Sequence, residues 1–234
     1  MIPIDLRGKE MNPLNQSQRP GAIGGISRST IKRLPVYLSY LKSLPSDKQM
    51  NISAPMIASA LNLGEVQVRK DLAAISDAGK PRVGYHVPQL VAKLEEVLGY
   101  NDVHDAVLVG AGKLGRALMG YSGFSAYGLN IVAGFDADES IIGQTESGKQ
   151  IFSMTKFEDL CGRLQIKIGI ITVPAACAQA VCDLMTQNGI LAIWNFAPIH
   201  LRVSEEILVQ NENMAASLAI LSGHLSEQVE KLQQ

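Results

Sequence analysis

Residues 105–115 read DAVLVGAGKLG, an apolar run that leads directly into a glycine motif. The run 106–109 has the length and the β-branching of a buried strand. The glycines that follow have the spacing Gly-x-Gly-x-x-Gly. In such a motif Gly110 permits a tight turn from strand to helix, Gly112 lets the backbone approach a pyrophosphate, and Gly115 lets the helix pack closely on the strand. The first N–H groups of the helix then point at the anion, so the stretch predicts a dinucleotide site.

A second predicted strand, residues 130–136, ends in Asp136, about 20 residues beyond the glycine motif. A carboxylate at this point accepts a hydrogen bond from a ribose 2′-hydroxyl and repels a 2′-phosphate. The expected cofactor is therefore NAD(H) rather than NADP(H). The alternative is that the glycines are ordinary turn residues and Asp136 is a solvated strand end.

The α/β alternation continues beyond Asp136, with helices predicted over 155–164 and 175–187 and strands over 168–173, 191–196 and 199–203. Ligands of open parallel sheets lie beyond the carboxyl ends of the strands. Two segments should therefore line the cofactor cleft beside the glycine loop: Thr172, Val173 and Pro174, and Asn195, Phe196, Ala197 and Pro198. Ordinary loop chemistry would explain the prolines in these segments equally well.

The charge is distributed unevenly along a chain of 234 residues, a length that suits two domains. Residues 1–86 hold 12 Lys or Arg against 6 Asp or Glu, and residues 87–234 hold 9 against 16. Such an asymmetry suggests that the N-terminal part meets a polyanion, although a solvated basic face would give the same count. The sequence lacks a signal-peptide pattern and an apolar run of membrane-spanning length, so we expect a cytoplasmic protein.

The N-terminal part is predicted to form a winged helix-turn-helix after a disordered segment, residues 1–25. A helix over 27–43, with Pro35 either bending it or in its first turn, precedes helices over 55–61 and 65–75. Ser53 is the expected N-cap of the second helix, with Pro55 in its first turn. A basic, glycine-containing hairpin over 77–87 would form the wing.

The third predicted helix has a buried face and a face suited to DNA. Val68, Leu72 and Ile75 share one side, whereas Gln67, Arg69 and Lys70 emerge elsewhere. Amide and guanidinium groups read adenine and guanine in a major groove. The predicted DNA-contacting set is Gln67, Arg69 and Lys70 on this helix and Lys80, Arg82 and Tyr85 in the wing. The alternative is a small helical accessory domain with a solvated charged face.

A connecting helix over 88–98 and a terminal helix over 213–233 complete the organisation. The terminal helix has an apolar stripe whose spacing suits packing on a partner or back on its own domain; it comprises Met214, Leu218, Leu221, Leu225 and Val229. The predicted domains are 26–87 for DNA, 88–211 for the dinucleotide and 212–234 for dimerisation. Cys161, Cys177 and Cys182 have no metal-ligand or Cys-x-x-Cys spacing and are interpreted as structural thiols in a reducing compartment.

A winged helix followed by an NAD-type Rossmann domain and a terminal helix resembles the Rex family, redox-sensing repressors of bacteria. The resemblance extends from about residue 27 to the end of the chain and is carried by segments 32–35, 67–72, 83–85, 110–118, 135–138, 172–175 and 195–198. It implies a homodimer with exchanged terminal helices that binds a palindromic operator when NADH is low and is released by NADH. It also implies no catalytic residue and no metal.

By position, the resemblance assigns Gln67, Arg69 and Lys70 to DNA and assigns seven residues to the dinucleotide: Gly110, Ala111, Gly112, Lys113, Leu114, Gly115 and Asp136. Tyr121 occupies the place of a tyrosine near the nicotinamide. Three positions depart from the family pattern. Arg82 lies one place later in the wing than is usual, and Ser39 and Asn213 stand where the family has an arginine and an aspartate. We therefore hypothesise that the redox switch survives but is coupled differently.

The competing interpretation is a small NAD-dependent oxidoreductase with a helical appendage. Hydride transfer needs a general acid or base near the nicotinamide, usually His, Tyr or Lys. Of the four histidines, His200 is the one candidate, because it follows the predicted cleft segment. Its place in the strand predicted over 199–203 favours a structural role. Little chain is left for a substrate domain, which also weighs against an enzyme.

Overall fold

The computed structural model describes residues 25–45, 51–76 and 83–232. The chain divides into two compact units, Met1–Asn101 and Asp102–Gln234. The segment predicted to be disordered, residues 1–25, lies outside the described ranges except for Gly25, and so do the wing residues Lys80 and Arg82.

The described residues of the first unit form four helices and a two-stranded antiparallel sheet. The helices are α1 (Arg28–Ser43), α2 (Ala54–Ala60), α3 (Glu65–Ala73) and α4 (Val87–Leu98), and the strands are β1 (Asn51–Ile52) and β2 (Tyr85–His86). Helices α2 and α3 are joined by a short turn, which gives the predicted helix-turn-helix arrangement.

Local sequence sets the starts of α1 and α2. The Ser27 hydroxyl accepts a hydrogen bond from the N–H of Thr30 at 3.1 Å, and the Ser53 hydroxyl caps α2 through the N–H of Met56 at 3.4 Å. Pro55 lies in the first turn of α2, as predicted. Pro35 lies in the interior of α1, so its predicted alternative placement in the first turn is wrong.

The core of this unit is formed by one face from each helix. Val68, Leu72 and Ile75 are all buried, which confirms the predicted inner face of the third helix. They join apolar side chains of the other three helices, among them Leu34, Tyr37, Leu41, Ile57, Leu90 and Leu94. Helix α4 packs on α1, and the Lys42 ammonium pairs with the Glu95 carboxylate between them at 2.7 Å.

The strand of the predicted wing pairs with a strand that the sequence analysis did not predict. Tyr85 lies opposite Ile52, and His86 lies opposite Asn51. Gly84 adopts φ +84°, and a Cβ there would lie 2.8 Å from the carbonyl carbon of Ile52. This close approach requires glycine at the entry to β2.

The second unit is a seven-stranded sheet in the order β5-β6-β4-β3-β7-β8-β9. Its strands are β3 (His104–Val109), β4 (Leu129–Asp136), β5 (Thr145–Glu146), β6 (Lys149–Ser153), β7 (Ile168–Ile171), β8 (Ala192–Asn195) and β9 (Leu208–Asn211). Its α-helices are α5 (Lys113–Gly120), α6 (Phe157–Leu164), α7 (Ala175–Gln187) and α8 (Met214–Leu232), with 3-10 turns at Ser122–Tyr127 and Met154–Lys156. Only β5 pairs antiparallel to its neighbour, so six strands form the predicted parallel Rossmann sheet.

The edges of this sheet differ from the predicted strands. Strands β5 and β6 were not predicted, and residues 199–203 have no regular structure, so the strand predicted there is wrong. The last strand is β9 instead. The reason lies in side chains that satisfy the backbone of the 199–203 segment. The amide of Gln179 exchanges two hydrogen bonds with the backbone of Arg202, both 2.9 Å, and the amide of Asn195 donates to the carbonyl of Ile199.

Helix α8 leaves its apolar stripe exposed. Leu218, Leu221 and Leu225 are 62%, 65% and 60% exposed, and Met214 and Val229 are exposed as well. Packing back on its own domain, one of the two interpretations of the stripe, is therefore wrong. None of the helices in the described ranges combines the length and the hydropathy that a membrane span requires.

The three thiols differ in burial. Cys177 and Cys182 are five residues apart on α7 and therefore lie on different faces of that helix. Cys161 and Cys182 are buried, and burial raises the pKa of each to about 11, whereas Cys177 is exposed on α7. Because the thiolate is the reactive form, we expect an aromatic disulfide reagent near neutral pH to modify Cys177 alone in the folded chain. Cys161 and Cys182 should react only after unfolding. The Cys177→Ser variant should lose the fast phase, and fast reaction of that variant would contradict the assignment.

Candidate functional site

The glycine loop lies where β3 adjoins β7, the point at which the strand order of the sheet reverses. Gly110 has φ +102°, and a Cβ there would lie 2.8 Å from the carbonyl carbon of Thr172 and 2.9 Å from the nitrogen of Val173. A Cβ on Gly115 would collide with the carbonyl oxygen of Gly110. These two glycines are therefore required by the protein's own packing, one for the turn and one for the contact between helix and strand.

Gly112 is different, because the protein itself does not require a glycine there. Its φ of −70° is open to any residue, and no atom lies within 4 Å of the position that a Cβ would take. It is also the N-cap of α5 and offers no side-chain acceptor to the first N–H groups of that helix. Open space beside uncapped N–H groups fits the pyrophosphate of a dinucleotide.

Asp136 contacts this loop from the end of β4. Its Oδ2 accepts a hydrogen bond from the N–H of Ala111 at 2.7 Å, and its Oδ1 accepts one from the N–H of Asp138 at 3.0 Å. The residue is half-buried, and each carboxylate oxygen keeps room for a second donor. Arg116 donates from Nε to the carbonyl of Ala111 at 3.1 Å, so side chains hold the loop from both sides.

The two predicted cleft segments follow β7 and β8. The hydroxyl of Thr172 donates to the carbonyl of Gly110 at 2.7 Å, which ties the first segment to the glycine loop. Val173 is half-buried and Pro174 is exposed.

In the second segment Asn195 is fully buried. Its amide donates to the carbonyls of Ala197 and Ile199, and its Oδ1 accepts from the N–H of Ala197. Asn195 thereby fixes the loop that presents Phe196 and Pro198.

Four rings form an aromatic row on the face of the sheet that α5 covers: Tyr121, Phe124, Trp194 and Phe196. Tyr121 is 51% exposed, and its ring meets Phe124 edge-on with centroids 4.9 Å apart. Phe124 meets Trp194 at 5.6 Å, and Trp194 meets Phe196 at 4.8 Å. Tyr121 and Phe196 were predicted site residues, whereas the two rings between them, Phe124 and Trp194, were not predicted. Their spacing in the sequence gave one clue. Trp194 lies in β8 and Phe196 follows one residue after its end, so the alternation of an extended chain places both rings on the same side.

The predicted DNA-contacting residues of the third helix are exposed. Gln67, Arg69 and Lys70 all keep solvent-exposed side chains on α3. Arg69 forms an ion pair with Glu65 one turn earlier, and Gln67 donates to Asp71 at 3.0 Å. Tyr85 is half-buried in β2.

A buried carboxylate that the sequence analysis missed holds this helix in place. Asp71 is 1% exposed and accepts two hydrogen bonds from Arg33, at 2.6 and 2.8 Å, and one from the hydroxyl of Tyr37 at 2.7 Å. The Thr30 hydroxyl and the Gln67 amide each donate at 3.0 Å. The cluster therefore joins α3 to α1 through charged hydrogen bonds.

The cluster shifts the pKa values of its members. Burial by itself raises the pKa of Asp71, but the hydrogen bonds from Arg33, Tyr37, Thr30 and Gln67 outweigh it, and the net pKa is lowered. Burial and the bond to Asp71 raise the pKa of Tyr37 to about 12. One clue was present in the sequence, since position 71 lies three residues after Val68 and next to Leu72 on the inner face of α3.

The predicted site residues thus form two groups. The dinucleotide set is brought together in the second unit, and the described part of the DNA set lies on α3 and β2 of the first. Across the described ranges, no three His, Cys, Asp or Glu side chains lie close enough together to hold a metal ion.

Two family models match the chain, one for each unit. A model described as "Putative DNA-binding protein N-terminus" matches residues 25–73, and one described as "CoA binding domain" matches residues 101–199.

Curated relatives extend the similarity over most of the chain. A Bacteroides fragilis protein named "Redox-sensing transcriptional repressor Rex" is 40% identical over 201 residues, which cover 86% of this chain and 91% of the relative. A Porphyromonas gingivalis protein of the same name is 41% identical over 196 residues, covering 84% and 90%.

Solved structures give the same result in three dimensions. The structure of RSP in complex with beta-NAD+ and operator DNA has a TM-score of 0.81 at 31% identity, and the match covers 89% of this chain and 97% of that one. RSP in complex with beta-NADH has a TM-score of 0.79 at 30% identity, covering 89% and 99%. A third structure, of RSP described as a Rex-family repressor, matches with a TM-score of 0.79 at 31% identity, covering 89% and 99%.

Proposed function

The chain belongs to the Rex family of redox-sensing transcriptional repressors, and we propose that it binds a palindromic operator when NADH is low and leaves it when NADH binds. The observation that carries this proposal is the pairing of two sites on one chain. One unit presents exposed amide and basic side chains on α3, and the other holds an open glycine loop beside a carboxylate.

The dinucleotide is proposed to lie over the glycine loop. The backbone of residues 110–115 would hold the pyrophosphate, and Asp136 would accept hydrogen bonds from the adenosine ribose. Tyr121 and the segments 172–174 and 195–198 would line the nicotinamide side. Support comes from the space at Gly112 and from the uncapped start of α5.

The operator is proposed to receive α3 in its major groove. Gln67 and Arg69 would contact base edges, and Lys70 would contact the backbone, with Lys80, Arg82 and Tyr85 of the wing alongside. Arg69 would exchange Glu65 for DNA at small cost, because both members of this ion pair are exposed to solvent.

The active form is proposed to be a cytoplasmic homodimer in which the exposed stripe of α8 is covered by the second copy. We propose residues 26–87 as the DNA-binding domain, 88–211 as the dinucleotide domain and 212–234 as the dimerisation helix, with α4 packed in the core of the first unit although it extends beyond residue 87. A two-fold dimer would present two α3 helices to the two halves of a palindrome. NADH would shift such a dimer only by its differential affinity for the released state.

The oxidoreductase alternative is set aside. The Bacteroides fragilis and Porphyromonas gingivalis relatives are named as repressors and not as enzymes. His200, the candidate acid or base of that alternative, is exposed in a segment without regular structure.

The direct test is binding to a labelled AT-rich palindrome, measured by fluorescence anisotropy and titrated separately with NADH and NAD+. Release by NADH at concentrations where NAD+ leaves the complex intact is the expected result. Equal effects of the two dinucleotides would contradict redox sensing, and absence of binding under every condition would contradict the repressor function.

Replacing Arg69 or Lys70 with Ala is expected to weaken operator binding and leave NADH affinity unchanged. Loss of a bidentate base contact at Arg69 should cost about 1–3 kcal/mol, and loss of Lys70 should reduce the salt dependence of binding by about one counterion. Arg163→Ala is the matched control, because Arg163 forms the same type of exposed pair, with Asp159, on a helix of the second unit. If Arg163→Ala weakened binding as much as Arg69→Ala, the effect would reflect charge alone.

A further inference from the structure

We propose that the hydrogen bond between Trp194 and Glu212 links the dinucleotide site to the start of α8 and so sets how strongly NADH shifts operator affinity. The inference rests on the function proposed above and adds two positioning residues to it. Both residues and all the contacts that join them lie in the second unit.

The link begins in the predicted nicotinamide side of the cleft. The ring of Tyr121 is half-exposed there, and it touches Phe124, which in turn touches Trp194. Both contacts are edge-to-face, with interplanar angles of 80° and 74°. Rings packed in this way pass a displacement on, because close-packed side chains switch between arrangements and do not compress.

The link continues from Trp194 to the chain that leads into α8. The indole Nε1–H donates to Oε1 of Glu212 at 2.8 Å in a partly buried setting. The backbone N–H of Glu212 donates to the carbonyl of Asn195 at 2.8 Å, and the Asn195 amide donates to Oδ1 of Asn211 at the same distance. Residues 211 and 212 are thus held on the end of β8 by three separate hydrogen bonds.

Helix α8 starts immediately after this anchor. Asn213 caps it, since its Oδ1 accepts a hydrogen bond from the N–H of Ala216 at 2.9 Å. The apolar stripe of α8 is exposed along the helix. The attachments at residues 211–213 therefore set the direction in which α8 leaves the sheet. A displacement of the Trp194 indole would change that direction through Glu212.

The charges at this point favour the hydrogen bond between Trp194 and Glu212 as the contact that responds to NADH. Asn213 is neutral, whereas the Glu212 carboxylate receives a charge-assisted hydrogen bond from an indole that has no other polar atom. The other two hydrogen bonds, one to the carbonyl of Asn195 and one from its side-chain amide, hold β9 against β8. Neither involves a ring of the aromatic row. Of the three hydrogen bonds that hold residues 211 and 212, only the one from Trp194 comes from the aromatic row.

The test compares three variants of the full-length chain. Trp194→Phe keeps a ring in the row and removes the N–H, Glu212→Ala removes the acceptor, and Glu212→Gln retains an oxygen acceptor. For each, operator affinity is measured without NADH and with saturating NADH, and NADH affinity is measured without DNA. The ratio of the two operator affinities is the coupling.

We expect Trp194→Phe and Glu212→Ala to lower the coupling about tenfold, within the range of allosteric coupling energies. NADH affinity and operator affinity without NADH should stay within about twofold of the unmodified chain, as expected for sites that do not share contacts. Glu212→Gln should retain most of the coupling. Trp194 is the only tryptophan of the chain, so its emission should shift in Glu212→Ala and report the broken contact directly.

The outcomes separate this inference from the function on which it rests. If operator affinity of the unmodified chain ignores NADH, the proposed function fails before any variant is considered. If NADH lowers the operator affinity of Trp194→Phe and of Glu212→Ala by the same factor as that of the unmodified chain, the link is overturned. It is also overturned if the variants lose NADH affinity or unfold at lower denaturant concentration, because the contact would then serve the cofactor site or the fold.

Discussion

Gly112→Val should lower NADH affinity by about 100-fold or more, equivalent to about 2.8 kcal/mol, and leave operator binding without NADH intact. The variant should fold, because no protein atom lies within 4 Å of the new Cβ and φ is −70°. The added side chain would occupy the space through which the backbone approaches the pyrophosphate. Titration of the NADH fluorescence measures the loss.

Gly162→Val is the matched control for this variant. Gly162 is exposed on α6, and the position of its Cβ is equally free of neighbours. The same β-branched side chain is therefore added on a helix without approaching the glycine loop. Normal NADH affinity in Gly112→Val would mean that the pyrophosphate does not lie at this loop. Substitutions at Gly110 or Gly115 would not serve, because their Cβ atoms collide with the protein itself.

The second large effect is expected from Asp71→Ala, which should destabilise the first unit by about 3–5 kcal/mol. The change leaves the Arg33 guanidinium and the Tyr37 hydroxyl without the carboxylate that they share. Operator binding should be lost with the fold of this unit, and NADH binding should remain. Far-UV circular dichroism follows the helices of both units, whereas the emission of Trp194 follows only the second. Urea denaturation read by both probes should therefore separate the two transitions.

Glu95→Ala is the matched control, since it breaks the Lys42–Glu95 ion pair in the same unit, where both side chains retain solvent contact. Its cost should be about 1 kcal/mol or less. Equal destabilisation by the two variants would show that the Asp71 cluster contributes no more than a surface pair.

The lowered pKa of Asp71 makes the stability of the first unit depend on pH. A carboxyl whose pKa is lower in the folded chain stabilises the fold above its ordinary pKa, and the contribution disappears as the pH falls through the folded value. Acid should therefore destabilise the first unit of the unmodified chain more steeply than that of Asp71→Asn. Parallel acid profiles for the two proteins would contradict a stabilising role of the ionised carboxylate.

Features that depend on neighbouring residues could be predicted from the amino-acid sequence. The run 106–109 with its three glycines specifies the strand, turn and helix, because backbone freedom and β-branching act locally. The cap at Ser53, the buried face of α3 and the strand that ends in Asp136 follow from short-range patterns of the same kind.

Features that join distant segments emerged only in three dimensions. Asp71 meets Arg33 across 38 positions of sequence, and the row of rings meets Glu212 because β8 lies beside β9 in the sheet. Residues 199–203 look like a strand, but the side chains of Gln179 and Asn195 take their backbone groups, and 208–211 pairs with β8 instead. The pattern of a single segment does not record which distant side chains will complete its hydrogen bonds, and the fold alone settles those partners.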